Sequence, residues 1–274
     1  MTKTTIYTMV DYHIHTVRCG HASGEVAEYV RRAQELSLAE IGFADHLPLV
    51  IGMKDPTLAM RHEELDDYIA EIEALKTQFP GIIIKTGIEA DYFPGYEQAT
   101  RDLLSRYPFD YVIGSVHFIE GWGFDDSRYI DGYKTRDIFD IYKAYYELLE
   151  AAARTGLFDI IGHIDLVKKY GFVPEQDVTT LVGKALGAIH DAGMCVEINT
   201  AGLRKPVGEI YPGSEILKRC FENGIPITFG SDAHAPGEVG MAFERACAVA
   251  GQAGYDMFAT FAGRVRSFKA LARK

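Results

Sequence analysis

The sequence predicts an α/β fold in which seven strand–helix units form a barrel. Short apolar segments alternate with longer segments whose apolar residues recur at helical spacing, which is typical of βαβ units around a parallel sheet. The chain has 274 residues, and single-domain α/β barrels commonly reach about 250 residues. No low-complexity tract or internal repeat divides the sequence. We therefore expect one domain over residues 1–274.

The predicted strands are short, and most of them end on an imidazole or a carboxylate. They are Ile6–His13, Glu40–His46, Ile82–Glu89, Tyr111–His117, Phe158–His163, Cys195–Asn199 and Ile225–His234. Helical spacing of apolar residues predicts helices near residues 26–36, 65–79, 96–107, 135–154, 178–192 and 239–250.

Two long connections and the C-terminal segment complete the predicted organisation. Residues 47–60 contain proline and glycine, and we expect a loop that serves as a lid. Residues 118–134 contain glycine, aspartate and aromatic residues, and we expect an active-site loop. The C-terminal basic residues are interpreted as a solvated surface segment; they are Arg264, Arg266, Lys269, Arg273 and Lys274.

Composition and charge narrow the class of partner. The formal net charge of -11 disfavours nucleic acid, because binding to nucleic acid depends on cationic contacts to phosphates. No apolar run approaches the roughly 18 residues that span a membrane, and the N-terminus lacks a signal-peptide pattern. We therefore expect a cytoplasmic protein that acts on a small substrate. The sequence leaves the oligomeric state open.

The four cysteines are not arranged as a disulfide framework or a zinc knuckle. They lie far apart, without C-x-x-C spacing. We expect them to be buried small apolar residues, and this includes Cys19, although it is close in sequence to the histidines considered next.

The segment Asp11-Tyr-His13-Ile-His15 is the first indication of chemistry. Residues two apart in a strand point to the same side, so His13 and His15 can hold one metal ion between them. This spacing also occurs by chance, and the pair alone is weak evidence.

The positions of the other histidines strengthen the prediction of a metal site. Seven of the nine histidines lie at, or shortly after, the C-terminal end of a predicted strand, whereas His62 and His190 lie inside predicted helices. The strands of a parallel barrel open their C-terminal ends onto one face, where catalytic residues gather. Nine candidate ligands would converge there: His13, His15, His21, His46, Glu89, His117, His163, Asp232 and His234.

Nine candidates are too many for one ion, which takes about four to six ligands, and they suit two or three divalent ions. Nitrogen and carboxylate donors without a thiolate set are compatible with Zn, Mn or Fe. Ions about 3.5–4 Å apart can generate a hydroxide and neutralise phosphate oxygens, so the sequence favours phosphoester hydrolysis.

Basic residues after the predicted strands suggest that the substrate carries an anionic group. Arg204 and Lys205 follow the sixth strand, Lys168 and Lys169 follow the fifth, and Arg18 follows the first. They are candidate phosphate-binding residues. The proton donor to the leaving group stays open between Asp165, Asp45 and a metal-bound water.

These segments resemble the PHP (polymerase and histidinol phosphatase) family over nearly the whole chain. The matching pieces are Asp11-Tyr-His13-Ile-His15-Thr16, Gly20-His21, Asp45-His46, Glu89, Gly114-Ser-Val-His117, Gly162-His163 and Gly230-Ser-Asp232-Ala-His234. The resemblance implies a distorted, TIM-like (β/α)7 barrel with a trinuclear metal site at the C-terminal ends of the strands.

The resemblance also implies how the ligands are shared. One ion would be bound by His13, His15, Glu89 and Asp232; a second by Glu89, His117 and His163; and a third by His21, His46 and His234. A metal-bridging hydroxide held by Glu89, Asp232 and His234 would be the nucleophile.

Four segments resemble the histidinol-phosphatase branch of the family: Asp45-His46-Leu-Pro, Gly114-Ser-Val-His117, His163-Ile-Asp-Leu-Val and Asn199-Thr-Ala-Gly-Leu-Arg204. The branch implies hydrolysis of L-histidinol phosphate to L-histidinol and phosphate, in histidine biosynthesis. Arg204 matches one of the basic positions that hold phosphate in this branch. Lys168-Lys169 stands where an arginine is expected.

Three alternatives stay open at this point. Another PHP phosphoesterase would act on a different small phosphate monoester or nucleotide. An amidohydrolase also uses an H-x-H pair and a late aspartate, but its pattern does not require His21, His46 and Glu89. A metal-binding module would hold ions without turnover.

Overall fold

The computed structural model describes residues 9–53 and 55–271. Within them, seven parallel strands form one sheet whose spatial order follows the chain. The strands are β1 (Val10–Asp11), β2 (Glu40–Phe43), β3 (Ile83–Asp91), β4 (Tyr111–Ser115), β5 (Ile160–Ile161), β6 (Cys195–Asn199) and β7 (Ile227–Gly230).

The sheet curls so that its first and last strands meet. The Tyr12 amide donates to the Phe229 carbonyl at 3.0 Å, and the His15 amide donates to the Ala233 carbonyl at 2.9 Å. Ile14 and Ala233 form a parallel bridge between the segments that follow β1 and β7. The predicted seven-strand barrel is therefore confirmed.

The observed strands are mostly shorter than predicted, and the difference lies mainly at their C-terminal ends. β2 ends at Phe43, and β7 ends at Gly230. The predicted ligands therefore lie mostly in the short segments that follow the strands, where the backbone does not make the regular hydrogen bonds of the sheet. Residues 6–8 of the first predicted strand lie outside the described residues.

The helices surround this barrel. They are α1 (Val26–Glu35), α2 (Leu65–Gln78), α3 (Glu97–Leu104), α4 (Ile138–Arg154), α5 (Thr179–Asp191), α6 (Ser214–Glu222) and α7 (Phe243–Ala253). α4 begins where the Asp137 carboxylate accepts from the amides of Phe139 and Asp140, at 2.8 and 3.1 Å. α6 was not predicted, because it is short and buries few apolar side chains. No helix in the described part of the chain is long and apolar enough to cross a membrane.

The interior of the barrel is filled at its N-terminal end by aromatic rings. Tyr12 and Tyr111 stack with ring centroids 4.8 Å apart, and the Tyr111 hydroxyl donates to the Tyr12 carbonyl at 2.6 Å. Gly42 and Gly87 make room for this ring, since a Cβ would lie 2.1 Å from the Tyr111 hydroxyl at Gly42 and 2.3 Å from its Cζ at Gly87. This packing leaves the C-terminal face of the barrel for the polar residues.

The two long connections lie beside that face. Residues 47–60 contain no helix or longer strand among those described, and Leu49 and Ala59 pack against Phe93. Residues 118–134 contain a short antiparallel pairing of Phe118–Ile119 with Trp122–Gly123, followed by a 3-10 helix over Ser127–Lys134.

The predicted basic C-terminal segment lies at the surface where it can be compared, but it is a folded element rather than a tail. Met257–Ala262 and Val265–Ala270 form an antiparallel hairpin. Arg264 Nε contacts Asp159 at 2.8 Å, and Lys269 pairs with the buried Glu40. Both acids lie at or just before the start of a barrel strand, so the hairpin covers the N-terminal end of the barrel. Arg273 and Lys274 lie outside the described residues.

Candidate metal centre

The nine predicted ligands lie together at the C-terminal face of the barrel. The closest pairs of imidazole rings are His15 and His234, with centroids 4.1 Å apart, and His15 and His46, at 4.5 Å. Further ring neighbours extend the cluster to the remaining predicted imidazoles, His13, His21, His117 and His163. His62 is exposed, and His190 is exposed on α5, so neither joins the cluster.

Glu89 occupies the middle of the cluster, with its two oxygens facing different imidazoles. Oε2 lies 3.0 Å from His46 Nδ1, 3.3 Å from His13 Nε2 and 3.6 Å from His15 Nε2. Oε1 lies 3.1 Å from His163 Nε2 and 3.6 Å from His117 Nε2. This geometry suits a carboxylate that bridges two ions, as the resemblance implied.

Asp232 faces the same cluster from a left-handed backbone conformation. Its φ is 53°, and its Oδ1 lies 3.2 Å from His15 Nε2. Asn199 Nδ2 donates to Oδ2 at 3.3 Å, and Arg204 donates to the carbonyls of Ser231 and Asp232, both at 2.9 Å. These contacts offset the cost of a conformation that non-glycine residues seldom adopt.

Oxygen atoms around the cluster orient several imidazoles. His13 Nδ1 lies 2.7 Å from Glu197 Oε1, and His117 Nδ1 lies 2.9 Å from Asp91 Oδ1. His21 Nδ1 lies 2.9 Å from the Cys19 carbonyl. Because each Nδ1 has an acceptor, Nε2 of these rings is left to face the cluster, which is the usual arrangement of histidines that bind metals.

The charges in the cluster are strongly coupled. Burial opposes ionisation of Glu89, but the imidazoles of His46 and His13 outweigh it and hold the pKa of Glu89 well below its usual value. Burial also opposes protonation of His117, yet Asp91 and Glu89 raise the pKa of His117 to about 10. The pKa of His46 is well below its usual value, because burial and neighbouring imidazoles outweigh Glu89. Protons and a bound cation would therefore compete for this cluster.

The donor atoms fit divalent metal ions. His13 Nε2 is buried and makes no hydrogen bond with acceptable geometry to any described residue, although it faces Glu89. Several groups have ligand atoms within 4.8 Å of one another: His13, His15 and Glu89; His21, His46 and His234; His13, His163 and Asp232; His46, Asp91 and His117; and His15, Cys19 and His234. The group of His13, His15 and Glu89 lies within the first predicted ligand set, and the group of His21, His46 and His234 is the third predicted set. Two other groups include Asp91 or Cys19, which none of the predicted sets contains.

A cavity of about 740 Å³ opens above the cluster. The two long connections contribute Thr57, Leu58 and several residues between Phe118 and Tyr129 to its walls. Lys169 and Lys205 also line it. Lys169 Nζ lies 3.1 Å from Asp125 Oδ2 on the same walls, so the cavity carries both signs of charge above the metal cluster.

Three predicted phosphate-binding residues are not among the described residues that line this cavity. Arg18 pairs with Glu71 at 2.6 Å, and Lys168 Nζ lies 2.8 Å from both Asp165 and Glu209. Arg204 is held by the two carbonyls beside Asp232 and by Glu238, at 3.2 Å from its Nε. Of the five predicted cations, Lys169 and Lys205 line the cavity.

Sequence reasoning missed the roles of Asp91 and Glu197. A signal for both was present, because Asp91 lies two residues after Glu89 on the same side of β3, and Glu197 is a single acid within the apolar strand β6. Tyr211, which also lines the cavity, gave no such signal, because it lies in an irregular segment after β6.

Comparison with known proteins places the chain in a family. Residues 11–201 match the PHP domain, and residues 217–255 match the PHP-associated family. The chain belongs to the PHP family. A "probable histidinol-phosphatase" of Deinococcus radiodurans is 44% identical over 236 residues, covering 86% of this chain and 90% of that protein. The histidinol-phosphatase of Bacillus subtilis is 34% identical over 262 residues, covering 85% of this PHP chain and 96% of that protein.

A solved structure shares the PHP fold. Histidinol phosphate phosphatase from Lactococcus lactis, crystallised with zinc, L-histidinol and phosphate, has a TM-score of 0.78 with this chain at 24% identity. The match covers 95% of this chain and 99% of that one. The barrel described above is therefore the PHP fold.

Proposed function

We propose that this PHP protein is a metal-dependent histidinol-phosphatase, which hydrolyses L-histidinol phosphate to L-histidinol and inorganic phosphate. The observation that supports the proposal most is the convergence of seven imidazoles with Glu89 and Asp232 beneath a cavity that carries lysines. Relatives at 44% and 34% identity carry the name histidinol-phosphatase and align over nearly their whole length.

The same nine residues are proposed as ligands of two to three divalent ions, with Glu89 shared between two of them. The described groups of donor atoms support this assignment, and zinc, the metal in the Lactococcus lactis structure, is a candidate beside manganese and iron. When bound, such ions supply an activated water and compensate the charge that develops on a phosphoryl group.

The role proposed for the surrounding oxygen atoms is to fix the ligands. Glu197 and Asp91 hold Nδ1 of His13 and His117, so that Nε2 keeps its direction toward the cluster. Arg204 is proposed to hold the backbone of Asp232 rather than the phosphate, because its Nη2 donates to the two carbonyls and its Nε faces Glu238, while its Nη1 lies 3.9 Å from Met241 Sδ.

Lys169 and Lys205 are proposed to bind the phosphate of the substrate. Burial and the nearby Lys169 ammonium lower the pKa of Lys205, so the two cations are close enough to repel each other. An anion between two such groups would relieve this repulsion. Asp125 pairs with Lys169 and Asp126 pairs with Arg128 on the cavity walls. The walls therefore carry both signs of charge, which suits a zwitterionic ester such as an amino-alcohol phosphate.

The decisive experiment is a substrate panel with the purified protein loaded with Zn, Mn or Fe in turn. We expect kcat/KM for L-histidinol phosphate to exceed that for simple sugar and glycerol phosphates by about 100-fold or more. Equal values across the panel would instead favour an unselective PHP phosphatase. Hydrolysis of a cyclic amide without phosphate release would favour an amidohydrolase. Bound metal without any turnover would favour a binding module.

A further inference from the structure

Tyr211 is a buried tyrosine on the cavity wall whose hydroxyl is unpaired. Its side chain is 1% exposed, and its hydroxyl has no hydrogen-bond partner among residues 9–53 and 55–271. Buried hydroxyls normally find a partner, because an unpaired one costs folding free energy. An unpaired buried hydroxyl beside this cavity suggests that its hydrogen-bond partner is an atom of the bound ligand.

The position of the Tyr211 ring is fixed by the residues around it. Its backbone pairs with Asn199 at the end of β6, through hydrogen bonds of 2.7 and 2.9 Å. One side of the ring faces Gly202, where a Cβ would lie 2.9 Å from the ring carbons Cε2 and Cζ. Lys168 Nζ lies 5.7 Å from the ring centroid, and the His163 ring lies 6.5 Å away. The Tyr211 ring is therefore held in one position near His163, one of the proposed metal ligands.

The hydroxyl keeps its proton at neutral pH and can act as a donor. Burial raises the pKa of Tyr211 far above its ordinary value, and the carboxylates of Asp165, Asp232 and Asp125 raise it further. A phosphoryl group offers only acceptor oxygens to its surroundings when it is fully ionised. A fixed phenol donor thus complements a phosphate dianion in the same way as a lysine, but without adding charge.

We propose that the Tyr211 hydroxyl donates a hydrogen bond to a nonbridging phosphoryl oxygen of the substrate, which makes Tyr211 a catalytic residue. The inference rests on the proposed phosphatase function. No bond to Tyr211 forms or breaks, and its proton stays on the phenol throughout. Together with Lys169 and Lys205, it would hold the phosphoryl group above the metal cluster.

The test is Tyr211→Phe in the metal-loaded full chain. We expect kcat/KM for L-histidinol phosphate to fall by about 10- to 100-fold, because a hydrogen bond to a charged group is lost. We expect the Kd for inorganic phosphate, measured by calorimetry, to rise by about tenfold. Metal content is expected to stay as in the unmodified protein.

Tyr142→Phe is the matched control. Tyr142 is buried, its hydroxyl donates to the Phe172 carbonyl at 2.9 Å, and it is not among the described residues that line the cavity. We expect its kcat/KM and phosphate affinity to stay within about twofold of the unmodified protein. A comparable loss in both variants would overturn the proposal, because it would indicate a general effect of removing a buried hydroxyl.

Other outcomes separate this inference from the proposed function. Unchanged turnover and phosphate binding in Tyr211→Phe would overturn the inference alone, and a loss of metal from that variant would assign Tyr211 a structural role. If the unmodified chain does not hydrolyse L-histidinol phosphate, yet Tyr211→Phe weakens phosphate binding, then the proposed function fails and the phosphate contact stands. Should the variant not fold, a fluorinated tyrosine at position 211 keeps the shape and makes the phenol a stronger hydrogen-bond donor. We then expect the Kd for inorganic phosphate to change relative to the unmodified protein, and an unchanged Kd and kcat/KM would contradict the proposal.

Discussion

Glu197→Gln tests whether the residues behind the metal cluster control its affinity for ions. Glu197 is 1% exposed, and its Oε1 lies 2.7 Å from His13 Nδ1. Its Oε2 accepts from the His163 amide and from Asn199 Nδ2, both at 3.0 Å. The substitution keeps the volume, but it removes the negative charge and replaces one acceptor with a donor.

The expected magnitude follows from these contacts. A hydrogen bond to a charged group contributes about 1.5–3 kcal/mol, which corresponds to about 10- to 150-fold in an equilibrium constant, since 1.36 kcal/mol is tenfold. Loss of a residue that orients a metal ligand typically costs about 10- to 100-fold in metal affinity or activity. The Glu197 carboxylate lies in a tight space, because a Cβ at Gly230 would be 1.9 Å from its Oε1. Another side chain therefore has little room to move in and replace it.

The assay is competition for zinc between the protein and a chelator of known affinity, together with kcat/KM at saturating metal. We expect Glu197→Gln to weaken the tightest site by about 10- to 100-fold, and activity to recover partly when metal is added in excess. Glu222→Gln, at an exposed position at the end of α6, is the control and should match the unmodified protein. Unchanged metal affinity in Glu197→Gln would refute the argument that Glu197 fixes His13.

Three further predictions follow from the charges and contacts described above. Lys205→Ala should raise KM for L-histidinol phosphate by about tenfold with a smaller effect on kcat, because the residue is proposed to bind the phosphate in the ground state as well as in the transition state. Steady-state kinetics measure both constants, and an unchanged KM counts against the role of Lys205. Zinc affinity should increase as pH rises from 6 to 9, because the pKa of His117 is raised to about 10 and its protonated form must lose a proton to bind metal. The expected increase is up to about tenfold per pH unit for each proton displaced. A zinc affinity independent of pH would contradict this. Glu40→Ala should lower the free energy of unfolding by about 1–3 kcal/mol, because it leaves the buried Tyr12 hydroxyl and Lys269 without their shared acceptor. An unchanged midpoint in denaturant unfolding would show that the hairpin does not depend on this contact.

The candidate ligands could be predicted because their placement follows from local rules. A strand with His13 or Glu89 near its C-terminal end delivers that side chain to the C-terminal face of a parallel barrel, whichever helices surround it. The barrel fold could be predicted in the same way, from the alternation of strands and helices along the chain.

The residues that support the ligands could not be placed from the sequence, because their contacts join distant parts of the chain. Glu197 on β6 reaches His13 after β1, which requires the barrel to be closed. The C-terminal hairpin was missed for a related reason. Its basic residues indicate a surface segment, but they do not indicate that Arg264 and Lys269 pair with Asp159 and Glu40, acids that only the folded barrel brings close to them.

The most direct test of the proposed metal centre is a titration of the metal-free protein with zinc or manganese while phosphate release from L-histidinol phosphate is followed. We predict that activity is absent without metal, rises with added ions and saturates at two to three ions per chain. Full activity without metal, saturation at a single ion, or no phosphate release at any metal content would contradict the account of Glu89 and its surrounding imidazoles as a shared metal site for phosphate ester hydrolysis.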